Sequence, residues 1–282
     1  MPAPSCTRRA AATIAISTLG GLSSLHRGAH AQLASPASGH AAREALAPTG
    51  WLRAALILSN PVLVQLDAAT GVLGGVSVEM ARTLAERLGV LMEPVPYANP
   101  AGYAESLRGD IPWDVGFAAR DPARAEFVDF SPNYMEVDNV FLVPAGSRLR
   151  SVSEVDRAGV RVAVPHGSAP DLFLTRTLRN AEVVRVPGGF EPAVEALASG
   201  LADAYGENAH FLHGVMARLS AGARVLEGRF NVVQMAIAVP KGRHAAGLEY
   251  LARFAAEATR DGTVARAIER AGLRGVHAMP GL

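Results

Sequence analysis

The sequence predicts an α/β protein of two lobes, each a mostly parallel sheet flanked by helices, joined by two hinge strands. Three observations lead there. Strand and helix patterns alternate from about residue 51, a second alternating set runs from about residue 160, and two similar apolar stretches bracket that second set. These stretches are NVFLVP at 139–144 and QMAIAVP at 234–240. Strand–helix alternation builds parallel sheets, and a chain that crosses to another lobe and returns needs two such segments.

The elements follow in order. Residues 52–58 read as a strand stopped by Ser59-Asn60-Pro61, and 67–71 as a turn. Val76, Met80, Leu84 and Leu88 form a helical stripe, so a helix is expected over 76–88. A strand at 91–95, a helix at 101–107 and a strand at 113–117 continue the alternation. In the second set, strands are expected at 160–164, 182–186 and 202–205, with helices at 169–178, 190–198 and 209–219. Ser168 stands as N-cap of the first of these helices, with Pro170 in its first turn and Asp171 at the capping-box position. Helices at 245–259 and 263–271 return to the first lobe. The resulting division is 51–141 plus 238–282 for lobe one and 142–237 for lobe two.

Composition bounds the function. A chain of 282 residues that is 49% hydrophobic can bury a sizeable core. Its 27 basic and 26 acidic residues leave no net field, and the basic ones are scattered, so nucleic acid is not an expected partner. Arg8 and Arg9 precede a mildly apolar run over 10–25, and Ala29-His30-Ala31 offers a signal-peptidase site. Residues 1–31 therefore read as an export signal, by the Sec or the twin-arginine route, and the protein as periplasmic. Cys6 is the only cysteine. Cleavage after Ala31 leaves neither disulfide nor thiolate chemistry nor a cysteine-bound metal. Residues 32–50, rich in Ala, Ser, Pro and Gly without an apolar period, read as a flexible leader.

Loops at the carboxyl ends of open α/β sheets hold ligands. Here those loops are 59–62, 117–124, 166–170 and 206–209. No Walker-type phosphate loop, His-x-x-x-His pair or Gly-x-Ser-x-Gly elbow is present, so no catalytic residue, metal site or cofactor is expected. His210 and His213 lie three apart on one helix and are read as solvated.

The segment from Asp114 to Tyr134, DVGFAARDPARAEFVDFSPNY, combines a strand, a turn with an arginine, and Phe130-Ser131-Pro132-Asn133-Tyr134. It resembles the ligand-loop signature of family 3 extracellular solute-binding proteins, the periplasmic receptors of polar amino-acid ABC importers. The resemblance covers about residues 51–275 and implies a type II periplasmic-binding-protein fold, hinge closure on a small ligand, a monomer, and an inner-membrane ABC permease as partner. Arg124 falls on the arginine that clamps a ligand carboxylate in that family, where a planar guanidinium matches the carboxylate geometry. The alternative for Arg124 is a surface pair with Glu126 or Asp129. Ala119 and Arg120 belong to the same loop, and Arg120 is either a second cation at the cleft or a solvated turn residue. Asp121 replaces the family's threonine.

Gly167, Ser168 and Ala169 match the family's turn at a helix start, whose backbone N–H groups suit an anion. Asn60 stands roughly where many members place an aromatic lid, and reads equally as a strand-ending turn. Asn208 departs from the pattern: an aspartate there takes the ligand's ammonium group in amino-acid-binding members, and a neutral amide cannot neutralise that charge. Glu207 is a substitute only if it does not point to the opposite side, as strand alternation requires. The ligand is thus an amino acid or another small carboxylate. The rival reading is a cyclohexadienyl or arogenate dehydratase-like enzyme on the same fold, with Glu207 or Asp121 as its acid. A receptor that feeds a sensor kinase is a third.

Overall fold

The computed structural model describes residues 36–243 and 245–280, and the export signal expected at 1–31 lies outside them. Helix α1 (Pro36–Leu46) leads into strand β1 (Trp51–Ile57), a small hairpin of β2 (Gln65–Leu66) and β3 (Leu73–Gly74), and helix α2 (Val76–Leu88). Next come β4 (Leu91–Tyr97), α3 (Pro100–Ser106), β5 (Val115–Ala119) and the long β6 (Val128–Val143). The chain continues with β7 (Arg161–Pro165), α4 (Ala169–Thr177), β8 (Glu182–Val186), α5 (Phe190–Ala198), β9 (Ala204–Asn208) and α6 (Ala209–Met216). It closes with β10 (Arg224–Val225), β11 (Asn231–Pro240), α7 (Ala245–Arg260), α8 (Thr263–Arg270) and β12 (Val276–Ala278).

The main sheet runs β4-β1-β5-β11-β6-β9-β7-β8, with β10 and β12 also on β6. β1 is parallel to β4 and β5, and β7 is parallel to β8 and β9. Between these two parallel sets, β11 and β6 run antiparallel to each other and to their outer neighbours. The expected mixed α/β architecture is what the chain adopts. Buried apolar residues cluster separately on the two halves: Leu52, Leu84, Phe117 and Leu251 on one, Leu142, Tyr205, Phe211 and Leu212 on the other. Among the described residues no helix is long and apolar enough to cross a membrane.

Two expectations need correction. The segments expected as crossings at 139–144 and 234–240 belong to the longer strands β6 and β11, and the start of β6 is concealed in the sequence by Pro132. A proline cannot donate to a ladder and is tolerated at irregularities. The β6–β11 register shifts near it, and the Ser131 hydroxyl accepts from the Ile237 N–H at 3.0 Å in place of a main-chain partner.

The 32–50 stretch is also not a featureless leader, since α1 occupies 36–46. Its Ala42 and Leu46 are buried against α7, where a Cβ on Gly247 would come within 3.1 Å of Ala45 and 3.2 Å of Leu46. Helices that close can be held by a few small side chains, so the apolar pattern in sequence is faint. Arg243 ties the end of α1 down, donating to the Ala45 carbonyl at 3.3 Å and to Asp114 at 2.9 Å, and a cation suits a helix C-terminus.

Candidate ligand-binding site

The carboxyl ends of β1, β5, β7 and β9 converge on a cavity of about 60 Å³ between the two halves of the sheet. Its lining includes Asn60, Ala119, Arg124, Asn139, Ser168, Ala169, Glu207 and Asn208, over an apolar surround of Phe117, Phe211, Val233 and Met235. The first half also seats the second closely. A Cβ on Gly188 would lie 3.0 Å from Pro100 Cδ and 3.0 Å from Ser59 Oγ. At Gly167 (φ 73°) a Cβ would lie 3.2 Å from the Pro100 carbonyl oxygen and from Ala101 Cα. A side chain would be tightly placed at both positions, and at Gly167 the left-handed backbone also favours glycine.

Arg124 follows β5 in a short 3-10 turn held by Asp121. The Asp121 carboxylate accepts from the Ala123 N–H at 2.9 Å, and its carbonyl accepts from the Ala125 N–H at 2.9 Å. The Arg124 side chain is buried rather than paired at the surface with Glu126 or Asp129. It donates from Nη1 to the Ala119 carbonyl at 3.2 Å and from Nη2 to the Gly167 carbonyl at 3.0 Å, while Nε has no partner. Its guanidinium carbon lies 5.7 Å from the centre of the Tyr103 ring. Burial lowers the Arg124 pKa, opposed by Tyr103 and Asp121, yet a guanidinium stays charged. The result is a buried cation whose hydrogen-bond partners are neutral carbonyls, one from each half of the sheet.

The turn at 167–169 differs from its expectation in one respect. Ser168 does cap α4, accepting from the Asp171 N–H at 3.2 Å. However, the Gly167 N–H donates to Asp171 at 2.9 Å and the Ser168 N–H to the Pro165 carbonyl at 3.1 Å. Those two amides are engaged within the turn and are not open to a bound anion. The negative charge favoured at this helix start is supplied by Asp171, itself paired with Arg185 at 2.9 Å.

The end of β9 carries the second correction to the site. Alternation predicts Glu207 on the opposite side from Asn208, but both line the cavity and both are buried. At the strand end the Glu207 carboxylate folds back on its own chain, with Oε1 accepting from the Asn208 N–H at 2.8 Å and from Asn208 Nδ2 at 3.0 Å. Asn208 Oδ1 accepts from the Phe211 N–H at 2.8 Å and caps α6. Burial pushes the Glu207 carboxyl up to about 7, against the opposing bonds from Asn208. Asn139, the register partner of Asn208 on β6, is buried with Nδ2 unpartnered. Sequence reasoning passed over Asn139 as a ligand group, although a polar residue inside an apolar strand was the available signal.

Arg120 does not line this cavity. It is exposed, donates to Asn133 at 3.0 Å and to the Ser131 carbonyl, and stands 5.2 Å from the Phe130 ring centre. Asp121 pairs with Arg176 of α4 at 2.8 Å, a contact that joins the two halves at the rim. Asn60 lines the cavity, and its side chain accepts from the Val62 N–H at 3.1 Å. His210 and His213 are half-buried, and no group of three potential metal ligands exists among the described residues.

A family model described as bacterial extracellular solute-binding proteins, family 3, matches residues 58–272. No curated protein matches the chain. Among solved structures, a mutant of ArgBP from T. maritima is similar at 25% identity and a TM-score of 0.68, over 81% of this chain and 98% of that one. A solute receptor for L-cysteine of Neisseria gonorrhoeae gives 24% identity and a TM-score of 0.69, over 82% and 93%. An ancestral amino acid-binding protein, described as a precursor of cyclohexadienyl dehydratase, gives 23% and 0.66, over 79% and 96%.

Proposed function

The chain belongs to the bacterial extracellular solute-binding proteins of family 3, and from that membership we propose that it is a periplasmic receptor capturing a small carboxylate-bearing solute for an ABC importer. The solute is an amino acid or a related organic acid. The observation that carries this reading is Arg124, a buried cation at the cavity whose nearest acceptors are two neutral carbonyls and whose Nε is unpartnered. A ligand carboxylate supplies the missing negative charge, and each hydrogen bond to a charged partner contributes roughly 1.5 to 3 kcal/mol.

Capture works by hinge closure. The lobes are 51–141 plus 238–282 and 142–237, and β6 and β11 run between them. Because the cavity lining takes Arg124 from the first and Ser168, Glu207 and Asn208 from the second, only the closed arrangement encloses a ligand from both sides. The closed monomer is then read by an inner-membrane permease.

The name of the ArgBP neighbour supports an amino-acid-type ligand. The dehydratase reading is not favoured, since the neighbours are described chiefly as binding proteins. A thermal-shift screen over amino acids, dicarboxylates and aromatic acids identifies the ligand. Arg124→Ala is expected to abolish that ligand's stabilisation, and undiminished stabilisation would remove Arg124 from the site. Conversion of prephenate or arogenate to phenylpyruvate or phenylalanine would overturn the receptor assignment.

A further inference from the structure

Two spaces meet along β11. The cavity of about 60 Å³ has Val137, Val233 and Met235 of the paired strands β6 and β11 in its lining. A second pocket, of about 180 Å³ and at the rim, is bordered by Asn231, Gln234, Phe173 and the Asp121–Arg176 pair. Ala119, Ala169 and Val233 line both. Two of these three carry only a methyl group, so the buried isopropyl group of Val233 is the largest side chain on the shared wall. Alternation puts Asn231, Val233 and Met235 on one face of β11, in line from rim to cavity, and Val137 stands opposite Val233 in register.

We propose that Val233 sets the length of the ligand: it closes the cavity toward the rim, so that the site takes a carboxylate with a short tail and excludes longer ones. This rests on the reading of Arg124 as the carboxylate clamp, because length is measured from the end that Arg124 holds. Space of this kind holds one water in about 10 to 15 Å³ and one benzene in about 150 Å³, so a cavity of about 60 Å³ takes about four to six non-hydrogen atoms. A carboxylate uses three of them.

The remaining walls are braced. Phe211 is stacked on Phe190 with ring centres 4.8 Å apart, and Phe117 meets Tyr134 edge-on at 6.2 Å. At the seam a Cβ on Gly188 would already meet Pro100 and Ser59 at 3.0 Å. Toward the rim, by contrast, open space lies directly behind one side chain. A β-branched valine is stiff about χ1 and does not swing aside as a long side chain does, so the barrier stands until its two methyl groups are removed.

The test is a thermal-shift series of unbranched carboxylic acids of about two to eight carbons, each with and without an α-amino group, followed by calorimetry on the strongest binders. The parent is expected to be stabilised most by acids of about two to four carbons and by none of about six or more. Val233→Ala should move that optimum about one to two carbons longer and hold the five-carbon acid at least about fourfold more tightly than the parent does, since each buried methylene contributes about a factor of four. Val233→Ile, which adds a methyl group, should lose the longest acid that the parent holds. Val232 borders only the rim pocket, and alternation turns its side chain to the other face of β11. Val232→Ala thus removes the same two methyl groups from the same strand and should leave the optimum in place. A parent optimum beyond about five carbons, an optimum unmoved by both Val233 variants, or an equal shift in Val232→Ala would each overturn the role of Val233 while a carboxylate still binds. Stabilisation by no acid of any length in any of these proteins would overturn both this role and the carboxylate reading of Arg124.

Discussion

Replacing Glu207 by Gln should change the pH dependence of stability in the absence of any ligand. The folded chain holds this carboxyl at about 7, whereas its ordinary value is 4.5. Between those values the native state keeps a proton that the unfolded chain has released, so unfolding free energy falls as pH rises and the loss is complete above pH 7. A separation of about 2.5 in pKa, at about 1.4 kcal/mol for each, corresponds to roughly 3 kcal/mol. Gln keeps an oxygen to accept from the Asn208 N–H and Nδ2, and it has no charge to bury. Urea unfolding followed by tryptophan fluorescence, for both proteins at pH 4, 6 and 8, isolates the effect because all other groups cancel in the difference. The variant should match the parent at pH 4 and exceed it by about 3 kcal/mol at pH 8. A difference that stays constant with pH would refute the assignment of a buried, ligand-free acid at this position.

Three further outcomes are expected. Gly188→Ala introduces a methyl 3.0 Å from Pro100 Cδ; overpacking costs about 1 to 3 kcal/mol, which should appear as a roughly five- to 150-fold loss of ligand affinity, and unchanged affinity by calorimetry would argue against closure at this seam. Leu46→Ala should cost about 2 to 5 kcal/mol in urea unfolding because Leu46 is 1% exposed, whereas a dispensable leader would show no change. Asp121→Asn removes the rim pair with Arg176, whose side chain is 45% exposed, so the effect should stay within about 0 to 1 kcal/mol and shrink further in high salt; a larger, salt-insensitive loss of affinity would make the pair a closing latch.

Local signals in the chain carried most of the architecture. The stripe of Val76, Met80, Leu84 and Leu88 marks α2, and the Ser168 cap marks the start of α4, because helical periodicity and capping involve residues within a turn or two of each other. Arg124 was legible for a similar reason: strand, turn and arginine lie within ten residues. The extent of β6 was not, since Pro132 breaks the local pattern and the strand exists through pairing with β11 about a hundred residues away. Helix α1 was likewise hidden, as its burial depends on Gly247 in α7.

For the site, the sequence by itself determined which charges the chain owns and that a neutral Asn208 stands where an acid was expected. Only the tertiary structure decided that Glu207 turns back over the strand end into the cavity, that Gly167 brings a carbonyl to Arg124, and that Asn139 leaves an amide donor there. The physical reason is that Gly167 and Asn139 reach the cavity through contacts between segments tens of residues apart, whereas Glu207 stands at the end of β9, where its bonds to Asn208 replace the alternation of a continuing strand.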